Sequence, residues 1–102
     1  MKRLFADTVY WIALTNSFDQ YHSKAIEVSS ALGNCRLFTT EAVLTEFLNA
    51  LADKGPLVRA AKGYSLTDCG SMLLMRERRL SEALTTDRHF EQEGFVALLR
   101  TP

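Results

Sequence analysis

The chain has 102 residues, 12 basic and 12 acidic side chains and no formal net charge; 47% of residues are hydrophobic and 24% charged. A chain of this size buries roughly 65% of the surface its unfolded form exposes, enough for one hydrophobic core, so a single domain over residues 1–102 is expected. Low Pro, Gly and net charge exclude disorder as the main state. No apolar run nears the ~20 residues of a membrane span, so no membrane partner is expected. Met1-Lys2-Arg3 and Leu4-Phe5-Ala6 meet Asp7 too soon for a signal peptide, and a cytoplasmic location is expected. Cys35 and Cys69 are too few for a disulfide scaffold and lack zinc-ligand spacing; they read as reduced core cysteines.

In chain order, Leu4-Phe5-Ala6 with Thr8-Val9-Tyr10-Trp11-Ile12 predicts a buried strand running into a helix or turn. Residues 16–21 read as a loop, and His22 as a residue anchoring it. Ser23 reads as the N-cap of a helix over 24–32, whose Ala25, Val28, Ala31 and Leu32 lie three and four apart. Gly33-Asn34 ends that helix. Cys35 to Thr39 predicts a strand. Thr40 caps a second helix with Val43, Leu44, Phe47, Leu48 and Leu51 at helical spacing, broken by Gly55-Pro56. Leu57 to Ala61 fits one or two helical turns, and Lys62-Gly63 is the next break. Ser65 caps a helix holding Leu66, Cys69 and Leu73 and reaching toward Leu80. Ala83 to Thr86 predicts a short strand ending at Asp87, and Phe95 to Leu99 a last strand entered through Gly94.

Helices between strands favour an α/β fold, with a parallel sheet covered on both faces. Right-handed crossovers then gather the strand C-terminal ends on one edge, where open α/β sheets place their sites. Asp7 and Asp87 each sit where a buried strand would leave the sheet, so two strands ending alike would bring both carboxylates to that edge. Asp68, in Ser65-Leu66-Thr67-Asp68, also fits a capping role at a helix start. Glu46 borders the apolar stripe of the second helix and also fits a solvated or partner-facing position. If the four converge, two carboxylates about 5 Å apart repel by roughly 3 kcal/mol at an effective dielectric of ~20. Such a group needs protonation or a cation, and its all-oxygen donors select Mg²⁺ or Mn²⁺. That metal suits phosphodiester hydrolysis. Thr86 and Thr67 are candidates for positioning a water or a carboxylate by hydrogen bonding. Zero net charge argues against a broad nucleic-acid footprint but leaves a local one open; Arg76, Arg79 and Arg88 are the candidate RNA contacts. Trp11, Tyr10 and Phe5 read as core.

Four ordered blocks carry a resemblance: Leu4-Phe5-Ala6-Asp7-Thr8-Val9-Tyr10-Trp11, Thr39-Thr40-Glu41-Ala42-Val43-Leu44-Thr45-Glu46, Ser65-Leu66-Thr67-Asp68-Cys69 and Leu84-Thr85-Thr86-Asp87-Arg88-His89-Phe90. In these the chain resembles the PIN-domain nucleases, and within them the VapC-like ribonucleases of toxin–antitoxin systems. The resemblance implies a three-layer α/β/α PIN-like fold around a parallel sheet of about four strands. It implies that Asp7, Glu46, Asp68 and Asp87 are both catalytic residues and ligands of Mg²⁺ or Mn²⁺, activating water against an RNA phosphodiester, with Thr86 as the auxiliary polar residue. It also implies a homodimer and a cognate antitoxin. Between Leu51 and Tyr64 the chain is shorter than the family pattern by about one strand–helix unit, perceived as an internal truncation. Two chains exchanging segments about Lys62-Gly63 is one expected outcome. The alternative expectation is a weakly active or inactive PIN-like module acting through oligomerisation or partner binding.

Overall fold

The computed structural model describes the backbone of residues 1–51 and 66–100, and the side chains of all of these except 66–69. The breaks expected at Gly55-Pro56 and Lys62-Gly63, the turns over 57–61, the Ser65 cap, the shortened region between Leu51 and Tyr64, and the side chains of Thr67, Asp68 and Cys69 lie outside the described residues.

Strand β1 (Lys2–Ala6) is exposed at its start and fully buried over Leu4, Phe5 and Ala6. Such a continuous apolar run suits a strand covered on both faces. It pairs in parallel with β2 (Cys35–Phe38) on one side, Phe5 opposite Phe38, and with β3 (Glu82–Leu84) on the other, Ala6 opposite Leu84. β3 pairs in parallel with β4 (Val96–Ala97), giving the order β2-β1-β3-β4. The α/β class and a parallel sheet of four strands are thus observed among the described residues.

Helices α1 (Thr8–Thr15) and α2 (His22–Leu32) join β1 to β2, and α3 (Glu41–Leu51) and α4 (Leu66–Glu77) lie between β2 and β3. The short α5 (Arg88–Gln92) joins β3 to β4. The chain steps outward from β1 to β2, then back past β1 to β3. A fixed crossover hand puts these two connections on opposite faces. Alternation along the strands shows the same division. Phe5 and Ala83 join a core with Val43, Met72, Met75, Phe90 and Phe95. Ala6 and Leu84 join a second core with Tyr10, Ala13, Ala25 and Leu99. Trp11 packs against both, and Tyr10 is buried with its hydroxyl 2.8 Å from Ser29 Oγ.

The expected strand does run into a helix, with residues 8–12 in α1, because Asp7 caps that helix immediately after β1: its side chain accepts from Thr8 N–H. Several local expectations are corrected. Helix α2 begins at His22, so Ser23 lies inside it, and the capping position is Tyr21, which makes no side-chain cap. Thr40 does cap α3, accepting from Val43 N–H at 3.1 Å. Within α3 the apolar stripe divides: Val43 is buried, while Leu44, Leu48 and Leu51 are exposed. In α4 the inward face carries Ser71, Met72 and Met75; Leu73 is exposed, and Leu80 follows the helix end. Arg79 takes the left-handed conformation (φ 55°), and Leu80 N–H returns to Met75 O at 2.8 Å, a Schellman-type stop. Helix α5 separates β3 from β4, and Gly94 (φ 92°) turns the chain between them. Cys35 is free and half-buried at the start of β2, outside both cores. Among the described residues no helix is long and apolar enough to cross a membrane.

Candidate active site

In a doubly wound sheet the crevice forms where strand order reverses, at the carboxyl ends of the strands. Here that point lies between β1 and β3. Asp7 leaves β1 and Asp87 follows β3, so the topology brings both to one edge, as the strand-end argument expects. Asp7 N–H donates to Leu84 O at 3.2 Å, which ties the two exits directly.

Each aspartate is also a helix cap. Asp7 Oδ1 accepts from Thr8 N–H at 2.9 Å, and Asp87 Oδ1 accepts from His89 N–H at 2.9 Å. Donors of this kind make a buried carboxylate tolerable, and Asp7 is only 6% exposed. The second oxygen of Asp7 accepts from Thr85 Oγ1 at 2.7 Å. That hydroxyl in turn accepts from Asp87 N–H at 3.1 Å, so one fully buried threonine links the two exits. His89 Nδ1 lies 3.1 Å from Asp87 Oδ1.

Glu46 reaches the same edge from α3, where its Oε1 accepts from Thr8 Oγ1 at 2.7 Å. Thr39 Oγ1 donates to Ala6 O at 3.0 Å and fastens the end of β2 beside that of β1. The result is a continuous run: Glu46, Thr8, Asp7, Thr85, Asp87. Asp68 and Thr67 fall in the first turn of α4 by backbone, and their side chains lie outside the described residues.

Two threonines that sequence reasoning does not single out, Thr8 and Thr85, therefore do the connecting. Their signal was present: each adjoins or nearly adjoins a strand-end aspartate. Thr86, the expected auxiliary residue, is half-buried; its carbonyl accepts from Arg100 Nη1 at 3.2 Å and it lines a small cavity with Val9, Ile12, Asp19, Gln20 and Tyr21. Arg88 is exposed directly after Asp87. Arg76 and Arg79 lie at the α4–β3 turn, where the chain enters β3, and so at the sheet edge opposite the carboxylates. Arg76 is engaged there by Glu93 at 3.0 Å and by the Phe95 ring. Arg100, which pairs with Glu91 at 2.9 Å, is the cation that sequence reasoning overlooks at the carboxylate edge.

The donors at this edge are all oxygens, which in chemistry fit a hard divalent cation. Among the described residues no three His, Cys, Asp or Glu side chains gather closely enough to hold a metal; the acids are spaced by threonine instead. No family model matches this sequence, and comparison with curated proteins and with solved structures finds no significant similarity.

Proposed function

We propose that the chain is a divalent-metal-dependent endoribonuclease of the VapC-like PIN type, the toxin of a toxin–antitoxin pair acting in the cytoplasm, built on a PIN-like fold shortened between Leu51 and Tyr64. The observation that carries this reading is that Asp7, Glu46 and Asp87 share the edge at the reversal of strand order, joined in one hydrogen-bonded run through Thr8 and Thr85. With Asp68, which the resemblance adds from the first turn of α4, these residues would hold Mg²⁺ or Mn²⁺. When bound, such an ion supplies an acidified water and offsets charge on a phosphoryl oxygen. The chain itself supplies orientation: Thr85 holds Asp7, Thr8 holds Glu46, and the two caps fix the aspartates relative to the helices they start. Arg88, exposed beside Asp87, is the favoured phosphate contact among the three arginines first considered.

Asp7→Asn tests the reading, because asparagine caps a helix about as well as aspartate while it removes the charge and turns the acceptor that meets Thr85 into an amide donor. The wild type should cleave RNA with Mg²⁺ or Mn²⁺. The variant should lose more than the ~10–100-fold typical of losing an outer partner of a metal site. Equal cleavage by both proteins would reject Asp7 as catalytic.

A second reading rests on one observation: Leu44, Leu48 and Leu51 lie one helical turn apart on α3 and are 43%, 62% and 62% exposed. This favours a binding module whose α3 face is covered by a second copy, with or without exchange of segments about Lys62-Gly63, or by an antitoxin. A folded, associated protein that fails to bind Mn²⁺ would select the module over the enzyme.

A further inference from the structure

The edge of the sheet where the strands begin carries a cluster of like charge. Arg3 of β1 and Arg36 of β2 are exposed register partners on neighbouring strands, about 4.8 Å apart at the backbone. Alternation along the strands puts Arg3 on the face of Phe5 and Arg36 on the face of Phe38, and both rings belong with the core around Val43 and Phe90. The two guanidiniums therefore share one face, and Arg3 Cζ lies 5.2 Å from the Phe38 ring centroid. Like charges placed side by side destabilise a sheet. A charge on the edge strand β2 guards it against pairing, but β1 is paired on both sides and has no edge to guard.

Helix α4 covers the same face through Met72 and Met75, and the turn after it brings Arg78 and Arg79, both exposed, to the same edge. The helix C-terminus offsets the charge of these two, whereas Arg3 and Arg36 have no such offset. Among the described residues none of the four meets a carboxylate. Glu82 is taken by Lys2 at 3.4 Å and Glu93 by Arg76 at 3.0 Å, which leaves Glu77, exposed at the end of α4, as the acid beside them. Zero net charge thus conceals a division: carboxylates where the strands end, free guanidiniums where they begin.

We propose that this surface binds the phosphodiester backbone of single-stranded RNA, at a distance from the edge that cuts it; the cutting rests on the ribonuclease reading above. Arginine meets phosphate through a planar fork of donors, and a row of arginines suits a chain with one negative charge per nucleotide. The two edges are separated by roughly 15 Å, the length of the five-residue β1 at ~3.3 Å per residue. A dinucleotide is too short to reach both, so the surface acts on longer strands.

The test is fluorescence anisotropy of the full chain with a labelled RNA decamer, without divalent metal, over a series of salt concentrations. Single strands lose about 0.7 in the slope of log affinity against log salt for each phosphate contact removed. Arg3→Gln with Arg36→Gln should lower the slope by about 1.4 and weaken binding at least roughly tenfold. Arg36→Gln alone should lower it by about 0.7 and leave the urea midpoint at or above that of the wild type, since it removes a like-charge neighbour. Lys24→Gln, on α2 over the other face and paired with Glu27, should change neither slope nor affinity. An unchanged slope in the double variant would overturn the proposal, as would a polyglutamate peptide that competes at these arginines as strongly as the RNA does. With Mn²⁺ the double variant should raise KM for the decamer with kcat retained, the mark of lost uniform binding. The parent reading fails separately. Arginine-dependent binding by a protein that cleaves no RNA with Mn²⁺ would keep this surface and reject the nuclease. Cleavage with slope and KM unchanged in the double variant would keep the nuclease and reject the surface.

Discussion

Burying a carboxylate away from water costs several kcal/mol unless donors meet it. Asp7 is met by a backbone N–H and by the Thr85 hydroxyl, so its position is stabilised by the fold before any ligand is considered. Thr85→Val keeps the shape of that side chain but removes the hydroxyl that donates to Asp7 Oδ2 and accepts from Asp87 N–H. Urea denaturation should show a loss of about 1–3 kcal/mol, the cost of stranding buried polar groups, and an unchanged midpoint would mean that the bond is not formed. Arg79 illustrates the opposite situation. A side chain in the left-handed region costs roughly 1 kcal/mol against glycine, so Arg79→Gly should raise the urea midpoint.

Helix faces show where periodicity in sequence stops being informative. The spacing of Leu66, Cys69 and Leu73 predicts a helix, and α4 is one, but among its described side chains Ser71, Met72 and Met75 are buried while Leu73 is exposed. Methionine and leucine both satisfy an apolar template, so the pattern fixes the helix and not its rotation. Met75→Ala should therefore cost about 2–5 kcal/mol in thermal or urea unfolding, while Leu73→Ala on the same helix should stay within ~0.5 kcal/mol. The reverse order would mean that the helix is rotated. Strand ends were more legible. Leu4 to Ala6 and Ala83 to Leu84 are apolar runs with an aspartate shortly after each, and parallel pairing of β1 with β3 brings those aspartates together. The reading leaves a helix or a turn open after Asp7 and misses the helix after Asp87, because a capping residue and a strand-terminal acid look the same until the next residues are placed. Thr8 and Thr85 stayed hidden for a related reason: their role depends on contacts 38 and 78 residues away.

At the scale of the molecule, the alternation of strands and helices along the chain is enough to anticipate an α/β fold with four parallel strands, because such a pattern has few other ways to cover a sheet. The exposed leucines of α3 were not anticipated as exposed, since periodicity reports an apolar stripe and not what lies against it. If a second copy covers them, light scattering should give a mass that rises with concentration, and Leu48→Glu should return it to the monomer value. A mass that stays monomeric at every concentration would set association aside. The same architecture has a temporal side. Thr85 follows its partner Asp7 by 78 positions, so the bond between them cannot form until that whole intervening stretch has been made. Contacts of such sequence separation form slowly. A nascent chain halted before β3 would carry Asp7 and Glu46 but no neighbour on that side of β1, so whatever chemistry this edge performs begins only after β3 and the residues following it have been made.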